Sequence, residues 1–156
     1  MAANTYLTPE ERAALESARV GIAGAGGLGS NCAMHLVRAG VKHLTVVDFD
    51  VVNESNLNRQ FFFRDQLGQK KVVALKDNLL RIEPDADIRI ADVRLDAEST
   101  KELFSDCAIV VEAFDTVAAK AIVEYSGEVY APGADLSSLV LVDGASLDVF
   151  KMTAGG

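Results

Sequence analysis

Apolar residues follow two rhythms along this chain. Residues 20–23 and 44–47 are short, largely apolar runs that predict strands, and 108–111 is continuously apolar, the pattern of a strand covered on both faces. Between them apolar positions recur three and four apart. Ala33, Leu36 and Val37 mark one face of a helix over 30–39 that Gly40 stops; Val72, Leu75, Leu79 and Ile82 mark another that Pro84 ends. Residues 9–18 predict a shorter helix, with Thr8 as cap, Pro9 in the first turn and Glu11 three residues after the cap. Residues 87–93 alternate like a third strand, Asp96 caps a helix running to Phe104, and 116–125 reads as a further helix. Residues 51–69 show no clear period and predict a long loop with at most one helical turn.

Strand and helix alternate, so the expected fold class is α/β: a Rossmann-like three-layer domain with a mostly parallel sheet, in which 108–111 is a centre strand. Right-handed crossovers bring the C-terminal strand ends to one edge, where ligands bind. Helical periodicity vanishes after Tyr125. Gly127, Pro132 and Gly133 then punctuate strand-like pieces at 129–130, 139–142 and 147–150. The expected division is an α/β domain over 1–125 and a short β-rich C-terminal segment over 126–156.

Composition narrows the classes. The chain has 156 residues, 49% of them hydrophobic, enough for one packed core and too few for two. No apolar run approaches the roughly 20 residues of a membrane span, and the polar, acidic N-terminus lacks a secretion-signal layout. A cytoplasmic protein with no membrane partner is expected. The net charge of −8 repels phosphodiester backbones and argues against nucleic acid. The two cysteines, Cys32 and Cys107, form no Cys-x-x-Cys pair, so no zinc site is expected.

Candidate chemistry begins at Gly24-Ala25-Gly26-Gly27-Leu28-Gly29, between the first strand and its helix. Small residues let the backbone approach a phosphate, and the helix start offers free N–H groups and a positive dipole end. Asp48 lies about twenty residues further on, where a carboxylate can accept from ribose hydroxyls. These two features alone suit an NAD-type and an ATP-type site equally. The following loop separates them. It carries Asn56, Arg59 and Gln60, then Lys70 and Lys71. Arg59 offers a planar fork and Lys71 a compact charge. A dinucleotide satisfies its two phosphates at the glycine loop, whereas a triphosphate needs this added positive charge.

Gly-x-Gly-Gly-x-Gly, Asp48-Phe49-Asp50, Asn56-Leu57-Asn58-Arg59-Gln60, Gly68-Gln69-Lys70-Lys71 and Ala113-Phe114-Asp115 together resemble the ThiF/MoeB/HesA family, relatives of the ubiquitin-activating enzymes. The resemblance covers about 19–125 and is closest to the ThiF-like branch. It implies an adenylyltransferase that uses ATP and Mg²⁺ on the C-terminal glycine of a ubiquitin-like sulfur carrier, in thiamine synthesis. It also implies a homodimer. Carried over residue by residue, Gly24, Gly26, Gly27 and Gly29 shape the phosphate loop and Asp48 holds the ribose. Asn56, Arg59 and Lys71 bind the triphosphate with Gln60 beside them, and Asp115 positions the metal. Arg59, Lys71 and Asp115 are then the catalytic group.

The tail has its own resemblance. Gly127-Glu128-Val129, Asp135-Leu136, Val142-Asp143-Gly144-Ala145 and the terminal Gly155-Gly156 are similar to the C-terminal half of a ThiS-type sulfur carrier. On that reading the chain is an enzyme–carrier fusion whose own Gly156 is an acceptor. On another, 140–145 is the fifth parallel strand of the enzyme itself. A third keeps only nucleotide binding, in a domain without turnover. Elsewhere the plainer readings hold. Cys32 and Cys107 are expected to be small buried residues, His35 and His43 to be surface or helix-end groups, and Glu83, Asp85 and Asp87 a solvated turn. Phe61-Phe62-Phe63 fits core packing or a dimer contact, and Asp50 fits a turn or a metal or water contact.

Overall fold

The computed structural model describes residues 7–114, together with two short strands at 123–125 and 128–130. Helix α1 (Pro9–Ser17) leads into β1 (Arg19–Ala23), then α2 (Gly27–Ala39), β2 (His43–Val47), α3 (Lys71–Leu80), β3 (Asp87–Ala91), α4 (Ala97–Leu103) and β4 (Ile109–Glu112). Strands β1 to β4 form one parallel sheet in the order β3-β2-β1-β4. β1 is central, so the glycine loop and the end of β2 lie side by side at the C-terminal edge.

Local signals explain the boundaries. The Thr8 hydroxyl accepts from the Glu11 N–H while the Glu11 carboxylate accepts from the Thr8 N–H, the reciprocal cap its spacing predicts. Gly40 takes the left-handed conformation, φ 113°, that ends α2. Asp96 caps α4 through the Ser99 N–H.

The two faces of the sheet differ. One buries Val20, Ile22, Leu44, Val46 and Ile88 against Ala33 and Val37 of α2 and Leu75 and Leu79 of α3. The other builds a smaller cluster from Ala23, Val47 and Phe104, with Val110 and Phe114 packed on it.

Among the described residues β4 pairs with β1 alone, and it packs on both faces of the sheet, Val111 against the larger cluster and Val110 against the smaller. Three expectations need correction. The helix expected over 116–125 fails at its end: Val123–Tyr125 is β5, antiparallel to β6 (Glu128–Tyr130). Val123 and Tyr125, β-branched and aromatic, suit a strand by shape. The segment 51–69 contains two 3₁₀ turns, Glu54–Asn56 and Arg64–Gln66, rather than one. Asp87 is the first residue of β3, tied to β1, not part of a solvated turn. The strand-like reading of 129–130 agrees with β6; residues 139–142 and 147–150, with Gly155 and Gly156, lie outside the described residues.

Candidate functional site: a helix N-terminus under a pinched loop

Helix α2 starts at Gly27, inside the glycine motif and three residues before the periodicity predicts. Its cap, Gly26, supplies no side-chain hydrogen bond, and its first turn holds no acidic residue. The opening N–H groups therefore lack intrahelical acceptors and face outward with the positive end of the dipole. Gly24 has φ +103°, and a Cβ there would lie 3.0 Å from the Ala113 carbonyl oxygen. A Cβ on Gly29 would sit 1.8 Å from the Gly24 carbonyl oxygen. Those two glycines are required by the tightness of the turn itself. Gly26 and Gly27 are different, because the space above them is filled by neither backbone nor core. A Cβ on Gly26 would find only Gln60 Nε2, at 3.9 Å, and one on Gly27 the Arg59 stem, at 3.6 Å.

The loop therefore folds back over the helix start. Asn31 Nδ2 donates to the carbonyls of Gly27 (2.6 Å) and Arg59 (2.8 Å). The buried Ser30 hydroxyl donates to the Gly26 carbonyl (2.6 Å) and accepts from the Phe61 N–H (3.0 Å). The first turn of α2 is thus stitched to 59–61. Sequence reasoning missed Ser30 and Asn31; the available signal was their spacing, each four residues after a motif glycine. Arg59 itself is exposed, its Nη1 donating to the Ser55 carbonyl and Asn58 Oδ1, both at 3.0 Å. Gln60 is largely buried, with Oε1 turned inward and lacking a hydrogen-bond partner. Asn56 is buried too: its Oδ1 accepts from the Asn53 N–H, and its carbonyl from the N–H groups of Arg59 and Gln60. It shapes the turn that delivers the two residues after it.

Asp48 is 7% exposed, and both carboxylate oxygens accept backbone N–H bonds, Oδ2 from Ala25 and Oδ1 from Asp50, each at 2.7 Å. It joins the glycine loop to the end of β2 before any ligand arrives. Lys71 opens α3 with its side chain only 7% exposed, and Nζ contacts Asp50 Oδ2 at 3.0 Å. The Lys71 N–H donates to the Asp50 carbonyl, Val51 and Lys70 form an antiparallel bridge, and the Val52 N–H donates to Gln69. The long loop is pinched shut at its base. At its far side Gln66 and Asn78 exchange two buried side-chain bonds, and Asn78 also donates to the Phe61 carbonyl. The Phe triplet divides: Phe62 joins the core, Phe61 packs on it, and Phe63 is 44% exposed beneath the Arg81 guanidinium.

The glycines, Asp48, Asn56, Arg59, Gln60 and Lys71 are therefore gathered at one sheet edge; Asp115 lies outside the described residues. Among the described residues no group of three or more His, Cys, Asp or Glu side chains is placed to hold a metal, and no helix is long and apolar enough to cross a membrane. Burial pushes the thiols of both half-buried cysteines up, away from the thiolate a nucleophile needs.

The sequence profile of the ThiF family matches residues 2–129. Molybdopterin-synthase adenylyltransferase of Salmonella typhimurium is 39% identical over 112 residues, 71% of this chain and 45% of that one. The SAMP-activating enzyme E1 of Haloferax volcanii is 36% identical over 69% of this chain and 40% of its own length. Among solved structures, the tRNA N6-threonylcarbamoyladenosine dehydratase TcdA of E. coli in complex with ATP superposes with a TM-score of 0.67 at 27% identity, covering 70% of this chain and 46% of that one. The chain thus spans less than half the length of these relatives.

Proposed function

This chain belongs to the ThiF family, and we propose that it binds ATP over the start of α2 and transfers the adenylyl group to the C-terminal glycine of a ubiquitin-like sulfur carrier. The observation that carries this reading is the loop folded over the glycine turn, with Arg59 above Gly27 and Gln60 above Gly26. A planar cation and an amide then stand over unpaired helix N–H groups, a donor set made for phosphate oxygens. Asp48 receives the ribose with the second lone pairs of its oxygens. Asn56 holds the turn beneath Arg59, and Lys71 adds charge from the loop base.

In the reaction a carrier carboxylate oxygen attacks the α-phosphorus, the bond from that phosphorus to the bridging oxygen breaks, and pyrophosphate leaves. The carboxylate is already ionised at neutral pH, so no side chain has to take a proton. Arg59 and the helix N–H groups orient the phosphates and neutralise the charge developing on them. Magnesium binds ATP-type substrates through one or two carboxylates plus phosphate oxygens, and Asp115 is the carboxylate assigned to it. When bound, the ion supplies further positive charge at the phosphates. The carrier is of the ThiS type, serving thiamine synthesis, and the enzyme works as a homodimer. Gly156 of the tail is a candidate acceptor in its own right.

ATP–pyrophosphate exchange with a separate Gly-Gly carrier tests the reading. Exchange should require carrier, and Arg59→Ala should lower it at least about a hundredfold. Carriers of the ThiS and molybdopterin-synthase types, run side by side, assign the pathway. An AMP adduct on Gly156, sought by mass spectrometry, tests the fusion. ATP binding with no exchange under any carrier would leave a nucleotide-binding domain without turnover and sink the catalytic reading.

A further inference from the structure

We propose that Asp50 is a latch on Lys71 which an incoming polyphosphate has to displace, so that this carboxylate sets how tightly the site takes metal-free ATP. The inference rests on the nucleotide reading above. Lys71 is nearly buried, and among the described residues the bond recorded for its ammonium is to Asp50, at 3.0 Å. A buried ammonium needs a counter-ion, so in the empty protein the pair is required. Its two members are unequal: the Asp50 side chain is 49% exposed, the Lys71 side chain 7%. Asp50 can therefore swing toward water while Lys71 stays.

The backbone favours the exchange. The Lys71 N–H bonds to the Asp50 carbonyl, and the adjoining Val51–Lys70 bridge holds both Cα positions. Handing Lys71 to a phosphate thus needs one side-chain rotation and no loop movement. The Asp50 N–H is in turn bonded to Asp48, whose other oxygen accepts from Ala25 in the glycine loop. The latch therefore sits two hydrogen bonds from the turn where phosphate is expected. A carboxylate so close opposes an anionic ligand twice, by occupying the lysine and by its own charge. Cations that accompany ATP relieve the second effect, so the opposition is strongest for ATP alone.

Calorimetric titration with ATP, in EDTA and in excess magnesium, distinguishes the latch from a structural pair. Asp50→Asn should bind metal-free ATP about tenfold tighter than wild type. The gain should shrink in magnesium, and Asp50→Glu should stay within about twofold of wild type. Lys71→Ala should weaken binding, and adding Asp50→Asn to it should restore nothing beyond a small charge effect. Asp50→Ser is the second charge-removing variant, and melting curves of the empty proteins establish that each variant folds. The latch is overturned if neither charge-removing variant tightens binding, if the gain is as large with Lys71 absent, or if both variants fail to fold. A wild-type protein that binds no ATP overturns the nucleotide reading itself.

Discussion

Gly29 and Gly21 show why two glycines of one chain do different work. A methyl on Gly29 would sit 1.8 Å from a backbone oxygen, which cannot move without opening the turn. A methyl on Gly21 would meet the Phe104 ring at 2.6 Å, and a ring edge can shift. Gly29→Ala should therefore destabilise by about 3 kcal/mol or more and remove ATP binding. Gly21→Ala should cost about 1–2 kcal/mol and leave binding intact. Urea unfolding paired with ATP titration separates them; equal losses of stability would refute the distinction. That Arg59 and Lys71 sit on the loop beyond the glycine turn was legible from their positions in the chain, and the structure sets the Arg59 stem above Gly27. What single letters could not reveal is pairing. Asp50 fits a turn as well as a ligand contact until Nζ of a residue twenty-one positions later is found against it.

At the level of elements, the end of the sheet opposite the site is held by charge. Arg19 at the start of β1 bonds the Asp87 carboxylate at the start of β3, across His43 at the start of β2, and its Nε lies 3.4 Å from Asp106, just before β4. The Arg19 hydrogen bond holds the Asp87 carboxyl below its usual range, and the Arg89 hydrogen bond does the same for Asp106. Depressed carboxyl pKa values contribute stability above the unfolded-state pKa, and that contribution is lost as pH falls through the lower folded-state values. Unfolding midpoints should thus drop on acidification below about pH 4, and Asp87→Asn should be less stable at neutral pH but flatter in acid. The half-exposed carboxylates make this effect small and weaker in high salt. A different bond holds α3 to the loop. Asn78→Ala removes two bonds from the buried Gln66 amide, which keeps those to the Ala74 carbonyl and the Phe63 N–H, and it releases the Phe61 carbonyl, so it should cost about 1–2 kcal/mol and lower ATP affinity with it. Helices and strands with clean periods were readable in advance. The strand at Val123–Tyr125 and the early start of α2 were not, because in both places the chain follows pairing or a glycine turn rather than a hydrophobic period.

For the whole molecule, the order β3-β2-β1-β4 explains why residues far apart in sequence meet: β1 and β2 are neighbours, so whatever follows each shares one edge. The order of strands was not written in any local pattern, and neither was the inequality of the two sheet faces. The proposed homodimer is a property at this scale. Phe63, exposed on the loop beneath Arg81, is the side chain to challenge. Light scattering should give twice the monomer mass, and Phe63→Glu should shift the population toward monomer; a wild-type monomer at all concentrations would refute the dimer.

The pinched base of the long loop has a last consequence. Because 50–52 and 69–71 are bonded to each other, the stretch between them is a closed excursion whose two ends share one doorway. Ring-closure entropy grows only slowly with contour length. Extra residues spliced in near Gly68, which has φ +83° and open space around it, should lengthen the excursion while the strands on either side keep their register. This is where the architecture leaves room for a descendant to grow.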